Sequence, residues 1–182
     1  MKYDVIIIGG GIIGTSIARA LGRYQLSVAV LEKENDVAMG ATKANSAIVH
    51  GGDAEAHAKL KGRLCYKGRK QFDQLENELH FGFEKIGSLV LAFEEAQIPK
   101  LQALYENGLA NGLDDLCIID HDAVMAMEPA VNPEVKAALY CKGAGVCSPY
   151  EMAIAMAENA VANGAELFLE TGVKDVVPRP EG

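Results

Sequence analysis

An apolar run that stops abruptly in glycines constrains this chain more than any other stretch: Tyr3-Asp4-Val5-Ile6-Ile7-Ile8-Gly9-Gly10-Gly11-Ile12-Ile13-Gly14. Val5 to Gly9 is too short for an isolated helix and rich in β-branched side chains, which predicts a parallel strand covered on both faces. From Ile13 onward the period changes. Ile13, Ile17 and Leu21 recur at helical spacing, while Gly14, Ala18 and Gly22 form a neighbouring strip of small residues. Such a strip would let the helix backbone lie close to a strand.

The glycine spacing assigns each residue a task. In a Gly-x-Gly-x-x-Gly turn the first glycine makes the bend, the second lets backbone approach a pyrophosphate, and the third permits close helix–strand packing. These are Gly9, Gly11 and Gly14 here. The following helix offers unpaired N–H groups and the positive end of its dipole to a phosphate. The pattern gains meaning from a strand before it, a helix after it and an acid at the end of the next strand. Leu26-Ser27-Val28-Ala29-Val30-Leu31 reads as that strand, and Glu32 closes it. A carboxylate there can accept hydrogen bonds from both hydroxyls of an adenosine ribose and would repel a 2′-phosphate. A dinucleotide site is the reading; a glycine-rich turn without a ligand is the alternative.

With 182 residues, 49% hydrophobic and 23% charged, the chain can build one good core and a small second lobe. A net charge of -8 and a pI near 5.0 argue against nucleic-acid binding, which calls for a basic footprint. No stretch approaches the roughly 20 continuous apolar residues of a transmembrane segment. The N-terminal run is interrupted by glycines and has no cleavage site, so it reads as strand one of a cytoplasmic protein, free or peripheral to a membrane. The cysteines Cys65, Cys117, Cys141 and Cys147 and the histidines His50, His57, His80 and His121 have neither redox nor zinc spacing. Reduced thiols and no metal site are expected.

After Glu32 and Lys33 comes a segment of small and polar residues, Gly40-Ala41-Thr42-Lys43-Ala44-Asn45-Ser46-Ala47-Ile48-Val49-His50-Gly51-Gly52. Thr42, Asn45 and Ser46 offer hydroxyl and amide groups without bulk, as backbone lying against a ligand requires. A surface loop with capping residues fits the composition equally well.

The opening turn, Glu32 and the segment from Ala41 to Gly52 together resemble the FAD-dependent glycerol-3-phosphate dehydrogenases of the D-amino-acid-oxidase-like flavoprotein superfamily. Ile86-Gly87-Ser88-Leu89-Val90-Leu91-Ala92-Phe93 and Met127-Glu128-Pro129 add to the match. The chain looks most like the anaerobic-type enzyme and L-2-hydroxyglutarate oxidase relatives. The resemblance implies FAD as cofactor, with Gly9, Gly11, Ile13 and Gly14 at its pyrophosphate, Glu32 at the adenosine ribose and Lys33 beside the adenine. It also places Thr42, Asn45 and Ser46 on the cofactor, Ile48 to Gly52 near the isoalloxazine, and Val173 against the adenine through its backbone. His50 would be the catalytic candidate, because an imidazole with a pKa near 6.5 suits proton transfer; holding the loop or packing on the ring is its alternative role. The stretch Asp53-Ala54-Glu55-Ala56-His57-Ala58 departs from the family, where proline and glycine usually occur.

Beyond this loop, Leu60, Leu64, Phe72, Leu75 and Leu79 predict one long helix from 58 to 79, with Lys59, Lys61, Arg63, Lys67, Arg69 and Lys70 on a basic face that reads as solvated, attraction of an anionic substrate or the cofactor phosphates being its alternative role. A strand over 86–93, a helix over 97–111, a short helix over 122–127 capped by Asp120 and stopped by Pro129, and a strand over 135–140 follow. Ser148-Pro149-Tyr150-Glu151 reads as a capping box opening a helix that Gly164 closes. Strands are expected over 166–170 and 172–177.

The expected fold is α/β, a Rossmann-like FAD-binding sheet with the beginning of an inserted α+β substrate lobe. Residues 1–82 and 145–182 form a discontinuous, incomplete FAD-binding domain and residues 83–144 a partial substrate-binding lobe. Family chains are more than twice as long, so this reads as an N-terminal portion, or as a subunit completed by another chain. Its unpaired strand edges would favour association. The expected activity is FAD-dependent oxidation of a small-molecule substrate, a hydroxy acid or a polyol phosphate such as glycerol 3-phosphate, by hydride transfer to flavin. A non-catalytic nucleotide-binding module, an L-2-hydroxyglutarate oxidase-like enzyme and an NAD-dependent dehydrogenase are the alternatives, the last leaving the 42–52 segment without a role.

Overall fold

A computed structural model describes residues 2–178, and these divide into two units. The first comprises residues 2–47, 76–82 and 148–178; the second comprises 48–75 and 83–147.

The first unit is built on three parallel strands, β1 (Val5–Ile8), β2 (Val28–Leu31) and β8 (Glu166–Phe168), in the order β1-β2-β8. Parallel neighbours need crossover connections, and helix α1 (Ile12–Leu21) joins β1 to β2. The register pairs Val5 with Val28 and Ile8 with Leu31. Helix α6 (Pro149–Ala162) delivers the chain to β8, which joins the sheet through Val30 and Leu167. Ile7, Val28 and Val30 close a core with Ala18 of α1 and Ala160 of α6.

Burial on α1 falls on the small strip. Gly14, Thr15 and Ala18 are buried, whereas Ile13 and Ile17 stand 73% and 46% exposed. A Cβ on Gly14 would overlap the carbonyl oxygen of Gly9, so only glycine lets the helix sit this close to the strand end. The strand's other face departs from the expectation of two-sided cover: Ile6 and Ile8 alternate with Ile7 and remain 54% and 60% exposed.

The predicted capping box at Ser148 does not form. Ser148 is the N-cap residue and Pro149 opens the helix, but the serine hydroxyl makes no cap hydrogen bond and is buried without a partner among the described residues. The other end follows expectation. Gly164, at φ +96°, donates to Val161 O while Ala165 donates to Ala160 O, the Schellman arrangement. Residues 172–177 form no strand; the chain instead pairs just before them, Thr171 N donating to Glu32 O and Glu170 N to Glu34 O.

In the second unit, β4 (Ser88–Ala92), β5 (Leu116–Asp120) and β6 (Ala137–Cys141) form an antiparallel sheet with β6 in the middle. Alternate β6 residues feed opposite faces. Ala137 and Leu139 pack with Leu101 of helix α4 (Ile98–Ala110), and Ala138 packs with Val124 of helix α5 (His121–Met127) and with Val135. Asp120 caps α5 as expected, accepting from Ala123 N at 3.0 Å. A short antiparallel pair, β3 (Ile48–Val49) with β7 (Gly145–Val146), completes the unit.

The single helix expected over 58–79 is two, α2 (Leu60–Arg69) and α3 (Phe72–Leu79). On α2 the buried residues are Gly62, Tyr66 and Arg69, while Leu60 and Leu64 are exposed. Part of the basic face is therefore structural. Arg69 makes two hydrogen bonds to Asp115, Nη1–Oδ2 at 2.7 Å and Nη2–Oδ1 at 2.8 Å, and lies over the Tyr66 ring.

Candidate functional site

The first unit gathers the glycine turn, Glu32 and Thr42. Gly9 adopts φ +105°, a conformation that side chains disfavour, and its N–H donates to Leu31 O. Helix α1 begins at Ile12 with no acid in its first turn. Ile12 N donates to Thr42 Oγ1 at 3.1 Å. The N–H groups of Gly11, Ile13 and Gly14 meet no acceptor among the described residues. Three unpaired amides at a helix N-terminus free of acidic side chains suit a phosphate by both hydrogen bonding and dipole.

Glu32, only 8% exposed, spends part of its carboxylate on this turn. Oε2 accepts from Gly10 N at 2.6 Å and Oε1 from Glu34 N at 2.9 Å. Burial pushes this acid up, but the N–H groups of Glu34, Gly10 and Lys33 outweigh it and hold the carboxyl below its usual range. Each oxygen accepts about two bonds, so lone pairs remain for ribose hydroxyls. The bond from Gly10 was not legible in the sequence, where Gly10 looks like a spacer.

The remaining first-unit residues are placed as follows. Lys33 is exposed and pairs with Glu34 at 3.3 Å. Asn45 braces its own loop, its Nδ2 donating to Ala41 O and Thr42 O while Oδ1 accepts from Ala47 N. Ser46 and Val173 are exposed. Asn45 therefore shapes the 41–47 turn, and Thr42 ties that turn to the start of α1.

His50 belongs to the second unit, where it lines a cavity of about 320 Å³ together with Ile48, Asp53, Lys61, Cys65, Ser88 and Val90. That volume lies in the range of small-ligand sites. Lys61 pairs with Glu55, which holds the glutamate below and the lysine above their usual ranges. Burial pushes the Cys65 thiol up, so it stays protonated and is a poor nucleophile. The loop carrying Asp53 is clamped from α4. Asn107 Nδ2 donates to the carbonyls of Asp53 and Glu55, and Asn111 Nδ2 to those of Gly52 and Glu55. With its amide nitrogen so used, Asn111 turns its oxygen to His57 Nδ1 at 3.0 Å, so that ring nitrogen carries the proton. Asn107 and Asn111 are one helical turn apart, the only trace of this clamp in the sequence. Among the described residues no group of three His, Cys, Asp or Glu side chains is arranged to hold a metal ion.

Residues 4–182 match the family model described as "DAO: FAD dependent oxidoreductase". The chain belongs to the DAO family of FAD-dependent oxidoreductases. Among curated proteins, this DAO-family chain is 47% identical over 180 residues to a glycerol 3-phosphate dehydrogenase of Caloramator mitchellensis, covering 99% of the chain and 38% of the relative. It is 34% identical to the mitochondrial L-2-hydroxyglutarate dehydrogenase of Pongo abelii, covering 96% of the chain and 42% of that relative. Among solved structures it is similar to the dithionite-reduced L-alpha-glycerophosphate oxidase of Mycoplasma pneumoniae with FAD bound, with TM-score 0.93 and 30% identity over 100% of the chain and 48% of that protein. The chain thus spans less than half the length of these relatives, and within that span its α/β fold is that of the oxidase structure.

Proposed function

We propose that this chain is the FAD-binding portion of an enzyme that oxidises a hydroxyl-bearing small molecule, a polyol phosphate such as glycerol 3-phosphate, by hydride transfer to flavin. Similarity along nearly the whole chain to a glycerol 3-phosphate dehydrogenase carries the reading. FAD, when bound, supplies the hydride acceptor. The amides of Gly11, Ile13 and Gly14 would hold its pyrophosphate, and the close approach at Gly14 and Gly9 keeps them clear of side chains. Glu32 would take the ribose hydroxyls with the lone pairs left over from Gly10 and Glu34, with Lys33 and the backbone of Val173 by the adenine. Thr42, Asn45 and Ser46 would follow the cofactor toward its flavin end, and His50 would take the substrate's hydroxyl proton.

The similarity to L-2-hydroxyglutarate dehydrogenase supports a second reading in which the substrate is a hydroxy acid. A cytoplasmic location belongs to the same proposal; no helix among the described residues is long and apolar enough to cross a membrane. The test is flavin absorbance that survives desalting of the purified protein, followed by bleaching on anaerobic addition of glycerol 3-phosphate. A protein that stays colourless after incubation with FAD overturns the reading, and one that binds FAD without bleaching by either substrate is a nucleotide-binding module.

A further inference from the structure

The wall of the second-unit cavity contains one carboxylate for which the protein offers nothing. Asp53 is 9% exposed, yet among the described residues its side chain has no hydrogen-bond donor and no cation within ion-pair distance. Its neighbours are otherwise occupied. Lys61 is neutralised by Glu55, and Asn107 and Asn111 spend their amide nitrogens on backbone carbonyls of the loop. A Cβ on Gly51 would lie 2.7 Å from Asp53 Oδ1 and 2.6 Å from Cys141 Sγ, so a glycine at 51 is what leaves room for the carboxylate.

Its oxygens remain solvent-accessible, so the carboxylate is open to a ligand that enters the cavity Asp53 lines. The clamp from α4 fixes the backbone beneath it by tying the carbonyls of Gly52, Asp53 and Glu55 in place. An acceptor on a fixed backbone, without a protein donor and in the wall of a ligand-sized cavity, is pre-organised for something that arrives with donors. We propose that Asp53 is a specificity-determining residue of this cavity, accepting a hydrogen bond from a neutral hydroxyl of the substrate and repelling a second carboxylate. The inference rests on the oxidoreductase reading above and deepens it, because it favours a polyol monophosphate over a hydroxy dicarboxylate. A buried polar group that loses its intended partner discriminates strongly, and like charges at close range do so as well.

The experiment is equilibrium titration of the FAD-loaded protein with glycerol 3-phosphate and with 2-hydroxyglutarate, for the wild type and for Asp53→Asn, with melting temperatures recorded for both. The wild type should bind glycerol 3-phosphate at least about tenfold tighter, and Asp53→Asn should narrow that ratio about tenfold, largely by admitting the dicarboxylate. The isosteric amide removes a charge that has no protein partner, so its melting temperature should stay close to wild type; Asp53→Ser provides a second variant if the asparagine protein misfolds. A ratio unchanged in a folded variant overturns the role of Asp53 alone. Failure of the wild type to bind FAD or either ligand overturns the functional reading and this inference with it.

Discussion

Glu32 serves the turn before it serves a ligand. Its folded pKa lies below the unfolded value, about 4.3 for a glutamate, so its stabilisation is fully present above that pH and is lost as pH falls through the lowered value. Glu32→Gln should therefore lose less stability than the wild type between about pH 5 and 3, as measured by urea melts across that range. For FAD affinity, Glu32→Ala should be weaker by about tenfold in calorimetry, with Glu34→Ala near wild type, since Glu34 contributes its backbone to the site. Equal effects would remove the ribose assignment. Gly14→Ala pushes a methyl into the Gly9 carbonyl and should cost about 2 kcal/mol or more by thermal denaturation, with FAD retention falling in parallel.

At the scale of elements, two helix starts that look alike in sequence should respond oppositely. Asp120 makes its cap bond to Ala123 N, and Asp120→Ala should cost about 1 kcal/mol. Ser148 makes none and keeps a buried hydroxyl unsatisfied, so Ser148→Ala should be neutral or slightly stabilising in the same denaturant titration. The predicted box failed there because Pro149 and the N-cap position were legible locally, whereas the direction of the serine hydroxyl depends on what surrounds it. The division between α2 and α3 was hidden for a similar reason. Arg69 reads as one more cation on a basic face, and only Asp115, 46 residues away, converts it into a buried anchor.

For the whole molecule, the open face of the parallel sheet sets behaviour in solution. Ile6 and Ile8 present a β-branched apolar row to solvent. The double change Ile6→Thr and Ile8→Thr should lower concentration-dependent self-association in light scattering while moving the melting temperature little, because neither side chain lies in the core of Ile7, Val28 and Val30. No change in scattering would exclude that face as the contact.

Local patterns carried the strand–turn–helix of β1 and α1, the acid after β2, the Schellman close of α6 and the family resemblance that pointed to FAD, since each depends on residues within a few positions of one another. Strand β5 escaped notice because Leu116 to Asp120 has no clean alternation, and its identity comes from pairing with β6. Tertiary structure alone decided which face of α1 is buried, that Glu32 grips Gly10, that Asn107 and Asn111 hold the 52–57 loop, and that Asp53 lines a cavity without a partner among the described residues. Those outcomes belong to contacts between residues far apart in sequence, from 22 positions for Glu32 and Gly10 to the packing of Ala18 against Ala160, where side-chain periodicity carries no information and packing chooses the neighbour.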